Sequence, residues 1–182
     1  MKRTTLAILL LLGAGPALAG DRFLLSAGWS LMRNADHFYR ESYGQSVSFG
    51  EVAAAGRFYR GFYIMAGYGS VTKHAVVPDI GTEATSRQGY LWAGLGYITP
   101  LAGPLKGKIE AGPADLIYRE RGLGLTASGS KFGYQAQAGL LVMARFLFAG
   151  IDVGYFAASD TVGDLKIKLG GVRITLSAGL RI

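Results

Sequence analysis

The chain has 182 residues, a length that fits one domain, and 50% of them are hydrophobic while only 17% are charged, against the usual quarter. It contains no cysteine, so no disulfide framework holds it, and its formal charge is +7. No run of about 18 apolar residues lies beyond the N-terminus, which excludes a membrane-spanning helix.

The N-terminus reads as an export signal. Met1, Lys2 and Arg3 form a short basic region, Leu6 to Leu12 an apolar core too short to anchor, and Ala17-Leu18-Ala19 a small-x-small cleavage site. The expectation is a cleaved secretory signal peptide over 1–19 and a single domain over 20–182, exported from a bacterial cytoplasm. Removing Lys2 and Arg3 takes the charge from +7 to +5. An exported basic chain rarely meets nucleic acid, so its anionic partners are lipid headgroups or lipopolysaccharide phosphates. Basic residues that merely flank membrane strands as interfacial anchors give the same balance.

Eight alternating segments follow. Side chains on a strand point to opposite sides in turn, so a period of two marks strands with one apolar and one polar or small face. In 22–32, Phe23, Leu25, Ala27, Trp29 and Leu31 oppose Ser26, Gly28 and Ser30. In 46–59, Val52, Ala54 and Phe58 oppose Glu51, Ala53, Ala55 and Arg57, and Arg60-Gly61 is a turn. In 62–73, Phe62, Ile64, Ala66 and Tyr68 are the apolar side; in 87–98, Leu91, Ala93, Leu95 and Tyr97 oppose Gln88, Tyr90 and Trp92. The fifth segment, 105–119, changes parity, from Ile109 and Ala111 to Leu116 and Tyr118. A bulge at Gly112-Pro113 would absorb the change, where a sheet tolerates proline. The polar face then reads Lys106, Lys108 and Glu110 and continues as Asp115.

The sixth and seventh segments form a hairpin within 131–158 that reverses at Ala144-Arg145. Phe132, Tyr134, Ala136, Ala138, Leu140 and Val142 oppose Gln135 and Gln137, and Leu147, Ala149, Ile151, Val153 and Tyr155 oppose Asp152. The eighth, 171–182, sets Val172, Ile174, Leu176, Ala178, Leu180 and Ile182 against Arg173, Thr175, Ser177 and Arg181. The connections 33–45, 74–86, 120–130 and 159–170 are long; 60–61, 99–104 and 144–145 are short. Long and short connections falling by turns are expected of an outer-membrane barrel, whereas a Greek-key sandwich has no reason to sort its loops. The predicted fold is all-β: an eight-stranded, antiparallel, up-and-down transmembrane β-barrel.

The pieces FYIMAGYGSV, QGYLWAGLGYITP and GGVRITLSAGLRI resemble the small eight-stranded outer-membrane barrels, a group that includes the OmpA transmembrane domain, OmpX and the opacity-type surface antigens. The resemblance covers the mature chain as a pattern. It implies residence in the outer membrane, contact with its lipid and lipopolysaccharide, and insertion by the barrel-assembly machinery. In that family the last strand usually ends in an aromatic residue; here it ends in Ile182.

Eight strands enclose an interior that side chains just fill. By parity the inward set includes Ser26, Ser30, Glu51, Arg57, Lys108, Glu110, Gln135, Gln137, Asp152, Arg173 and Arg181. Charges away from water need partners, so Glu51, Glu110 and Asp152 are expected to pair with Arg57, Lys108 or Arg173, in spaces left by Gly28, Gly67, Gly69, Gly94, Gly96, Gly139, Gly150 and Gly154. Phe58, Tyr59, Phe62, Tyr63, Tyr97, Tyr118, Phe132, Tyr134, Phe146 and Tyr155 lie near segment ends, as interfacial girdles require.

No cofactor or metal site is expected. His37 and His74 sit in separate connections without ligand spacing, and 122–129, which lacks the lysine of a phosphate loop, reads as a flexible tip. Asp36, His37 and Ser42 form a triad only on paper, because no rigid strand holds them. The function this supports is a structural or surface-interaction role carried by four long external loops, with Tyr39 and Tyr43 as candidate ligand-stacking rings. The alternatives are a narrow channel or carrier for small hydrophobic solutes and a lipid A-modifying barrel enzyme.

Overall fold

The computed structural model describes residues 22–35, 40, 45–77, 82–122, 125–162 and 165–182. They form eight strands: β1 (Phe23–Asn34), β2 (Ser46–Tyr59), β3 (Phe62–Val77), β4 (Thr82–Ala102), β5 (Leu105–Gly122), β6 (Leu125–Ala144), β7 (Leu147–Val162) and β8 (Leu165–Arg181). Each pairs antiparallel with its sequence neighbours, and β8 returns to β1, so the sheet closes into a barrel. At the seam Ile182 accepts from the amides of Arg22 and Phe23 and donates to Phe23 O, each at 2.9 Å. Closure is what the outer face demands: in hydrocarbon no water can satisfy an open edge. The segments 1–21, 36–39 and 41–44 are outside the described residues. They include the expected signal peptide, Asp36, His37, Tyr39, Ser42 and Tyr43.

The alternation places the apolar set outside. Leu25, Trp29, Ile64, Leu95, Ile109, Val153 and Leu176 are exposed, while the residues between them are buried or half-buried. Aromatic rings gather at both margins of this belt. Near the short turns Phe62 packs against Tyr97 at 4.8 Å and against Tyr59 at 6.4 Å; at the other margin Phe132 meets Tyr134 edge-on at 5.3 Å. Tyr63 and Tyr118 depart from the expected girdle: Tyr63 is buried in the interior, and Tyr118 lies on the inward parity of β5.

Three further expectations are corrected. The expected bulge at Gly112-Pro113 does not form. Between Trp92↔Ala114 and Leu95↔Ala111 the pairing to β4 lapses and then resumes in the same register, because proline has no N–H to give the ladder. Parity therefore never flips: Leu116 is buried inside, and Asp115 takes the outward position opposite Leu91 and Phe132. The inward face at that height is itself apolar, which is why an inward leucine imitates a register change. The register irregularities fall instead beside two short turns, between Arg57 and Tyr59 and between Pro100 and Ala102.

The hairpin turn lies at Arg145-Phe146, one residue later than expected, with Arg145 at φ 47°. Three of the four long connections are mostly strand. β3 and β4 pair out to Val77↔Thr82, β5 and β6 to Gly122↔Leu125, and β7 and β8 to Val162↔Leu165. Of the stretch read as a flexible tip, Gly122 and 125–129 are paired strand, and 123–124 lie outside the described residues. Past the apolar belt, residues such as Thr72, Arg87, Arg119 and Ser128 take the outward positions while the backbone ladder continues as a wet hairpin.

Candidate functional site in the barrel interior

The interior is layered. Along β1 the buried residues run Leu24, Ser30, Met32, Asn34; along β2, Ala55, Glu51, Phe49, Val47; along β7, Phe148, Asp152, Phe156. A polar belt at mid-height is therefore closed above and below by apolar side chains, where the alternation alone suggested a uniformly polar or small lining.

The belt is one connected set of hydrogen bonds. Thr175 and Ser30 share a hydroxyl contact of 2.6 Å, and Ser30 Oγ donates to Glu51 Oε2 at 2.9 Å. The Tyr90 hydroxyl donates to the same carboxylate oxygen at 2.5 Å. Arg173 Nη1 also reaches Glu51 Oε2, at 3.3 Å, and touches the Tyr90 hydroxyl. Its guanidinium lies 5.0 Å from the Tyr90 ring centre. Nη2 of Arg173 donates to Gln135 Oε1 at 3.0 Å and to Gln137 Oε1 at 2.5 Å. Both amides then donate to Glu110 Oε1, at 3.3 and 2.7 Å. Lys108 finishes the chain, 3.2 Å from Glu110 Oε2 and 2.9 Å from Asp152 Oδ2. Three carboxylates thus share two cations; Glu51, Glu110, Asp152 and Arg173 are buried and Lys108 is nearly so, each ion beside its partners as a low-dielectric interior requires.

Register explains how residues two strands apart can meet. Lys108, Gly139 and Asp152 occupy one row across β5, β6 and β7. Glu51, Gly69 and Tyr90 occupy one across β2, β3 and β4, and Gln137, Gly154 and Arg173 one across β6, β7 and β8. In each row the middle residue is glycine, and the flanking side chains reach across it. A Cβ on Gly69 would stand 2.6 Å from the Tyr90 ring, and one on Gly139 would overlap Asp152 Oδ1 and the carbonyl of Ile151. Gly139→Ala is accordingly expected to lower barrel stability by about 1–3 kcal/mol, the usual cost of overpacking. Equilibrium urea unfolding in lipid vesicles measures it, and an unchanged midpoint would show that the row is not tightly filled.

Of the nine residues singled out for this network, Glu51, Lys108, Glu110, Gln135, Gln137, Asp152 and Arg173 are joined in it. No bond among the described residues ties Arg57 to these seven, and Arg181 lies away from them on another layer. Both lie near the short-turn ends of their strands and are half-buried, with Arg181 Nη1 4.0 Å from Met143 Sδ. Tyr90, Ser30 and Thr175 also belong to the belt, although they carry no charge that demands a partner. Their inward parity was the available signal.

A cavity of ≈ 50 Å³ adjoins the belt, lined by Glu51, Trp92, Lys108, Glu110, Asp152 and Thr175 among others. Trp92 Nε1 and Asp152 Oδ1 have no protein hydrogen-bond partner among the described residues, and the space is large enough for water to serve them, since one water needs roughly 10–15 Å³. Among the described residues no group of three His, Cys, Asp or Glu side chains is arranged to hold a metal ion. His74 lies on β3, exposed, with Nδ1 3.3 Å from Thr85 Oγ1.

No protein-family model matches the chain, and no curated protein matches it. Solved structures do. Ail, the attachment invasion locus protein of Yersinia pestis, in complex with the heparin analogue sucrose octasulfate, is similar at 15% identity and a TM-score of 0.59, over 88% of this chain and 98% of Ail. Neisserial surface protein A is similar at 11% identity and 0.62, over 88% of this chain and 97% of that one. The N-terminal barrel domain of Pseudomonas aeruginosa OprF is similar at 13% identity and 0.60, over 90% and 99%. At such identities the likeness is one of fold, and the fold is that of the small eight-stranded bacterial outer-membrane β-barrels.

Proposed function

We propose that the protein is a non-catalytic outer-membrane barrel with a sealed interior, whose role is to hold strand hairpins at the cell surface for interaction. The observation that carries this reading is strand length. A strand needs roughly 9–11 residues to cross the hydrocarbon region, whereas β4 has 21 and β6 has 20. The excess lies on the side away from the short turns, so stiff paired strands project where the sequence suggested loops. The layered interior argues against the channel alternative: solutes would have to pass Leu24, Phe148, Phe49 and Phe156 as well as a belt of connected hydrogen bonds. The solved Ail complex with sucrose octasulfate supports an anionic saccharide as the class of molecule such a surface meets.

Two measurements test this. An epitope inserted between Gly122 and Leu125 should be labelled on intact cells, and the purified barrel should give no conductance steps in planar bilayers. Labelling that requires permeabilised cells would refute surface display, and steady single-channel steps would refute the sealed interior.

A further inference from the structure

The outward face of β3, β4, β5 and β6 changes character abruptly at one height. Its last apolar positions are Tyr68, Leu91, Ile117 and Phe132, all exposed. Ile117 shares its row with Ser70, Gly89 and Ser130, and the outward row beyond that one contains Thr72, Arg87, Arg119 and Ser128, paired one to the next across the four strands. Above it Thr85, Arg121 and Thr126 form a second row, with His74 bonded to Thr85 beside them. Arg87, Arg119 and Arg121 with Thr72 and Thr85 line a surface groove of ≈ 240 Å³.

Arg87 and Arg119 are directly opposed. Like charges facing each other across an antiparallel pair are destabilising, yet none of the three arginines forms an ion pair with a described residue. Asp115, the outward acid of β5, stands four residues nearer the apolar belt than Arg119, or about 13 Å along the strand. Three guanidinium forks therefore line one groove edged by hydroxyls, and none of them is tied up in an ion pair with a described residue. That donor set suits a phosphate, which arginine binds through two parallel N–H bonds.

The height selects the source of the phosphate. Arg119 is only two residues, roughly 7 Å, beyond the lipid-facing Ile117. Its row faces sideways, toward the layer where lipid headgroups lie, and not along the barrel axis toward bulk water. We propose that Arg87, Arg119 and Arg121, assisted by Thr72 and Thr85, bind the phosphorylated saccharide headgroup of an outer-leaflet glycolipid. This rests on the hairpin end being the external end, as the function proposed above requires.

The test uses the folded barrel in phosphatidylcholine vesicles doped with diphosphoryl lipid A or with the same lipid dephosphorylated. Retained glycolipid is counted by native mass spectrometry after mild detergent extraction. The native protein should retain the diphosphoryl lipid and lose the dephosphorylated one. Arg87→Gln should weaken retention roughly tenfold, the worth of one charged hydrogen-bonding partner, and the combined R87Q/R119Q/R121Q variant should abolish it. Equal retention of both lipids by the native protein overturns the proposal without any variant, so a misfolded mutant cannot shield it. Retention unaffected in the folded triple variant overturns it too. A third arm adds sucrose octasulfate in water: saturable binding of it, with no preference for the phosphorylated lipid, would reassign the groove to a soluble polyanion. The epitope experiment above fixes the orientation separately, so an inverted barrel and an empty groove give different results.

Discussion

Replacing Arg173 with methionine is expected to cost about 3–5 kcal/mol of barrel stability, the range seen when one partner of a buried ion pair is removed. Arg173 is 3% exposed and, among the described residues, is the one side chain that touches Glu51, Tyr90, Gln135 and Gln137 together. Without it Glu51 keeps its bonds from Ser30 and Tyr90 but loses its countercharge inside a layer capped by Phe49 and Ala55. The amide oxygens of Gln135 and Gln137 lose their donor as well. Urea unfolding in vesicles, followed by the fluorescence of the interior Trp92, reads the loss. Adding Glu51→Gln to Arg173→Met should recover part of it, because the stranded charge is then gone, and the double-mutant cycle would show strong coupling. A loss below about 1 kcal/mol would match a solvent-screened surface pair instead, and would mean that water reaches the belt freely.

Leu176→Arg should cost about 2–4 kcal/mol in vesicles, whereas Ser130→Arg should cost about 0–1. Leu176 is at the centre of the outward row of β8, flanked by Trp29 and Ile151, and is half exposed only because lipid is its neighbour. Ser130 points outward from β6 beside Ile117, where the apolar belt ends. The same arginine is thus placed at two depths on one surface, so propensity and side-chain size largely cancel. Equal costs would show that depth does not matter, and a bilayer would no longer account for the apolar exterior.

The side each residue faces was largely legible in the sequence, because a period of two is a local property of extended backbone. It assigned Glu51, Lys108, Glu110, Asp152 and Arg173 to one face without knowledge of any neighbour. It failed at Leu116, where the argument assumed that apolar means outward. Chain parity continued through Pro113, and the leucine joined Phe156 and Phe49 in the apolar layer above the belt. Hairpin lengths were misjudged for a related reason. Past Arg87 and Ser130 the outward positions turn polar, and a wet strand lacks the hydrophobic alternation by which strands are recognised.

The sequence by itself determined that this chain makes alternating strands, eight in number, with a greasy and a polar side, since those follow from the order of residues along one extended segment. Which charges meet was decided only by the closed sheet. Closure brings β8 beside β1, and register sets Gly139, Gly69 and Gly154 between partners two strands apart. It also sets Arg87 against Arg119 on the outer face. Those contacts depend on how far each strand slides along the next, a quantity fixed jointly by the turns and the closing seam and absent from any single stretch of chain.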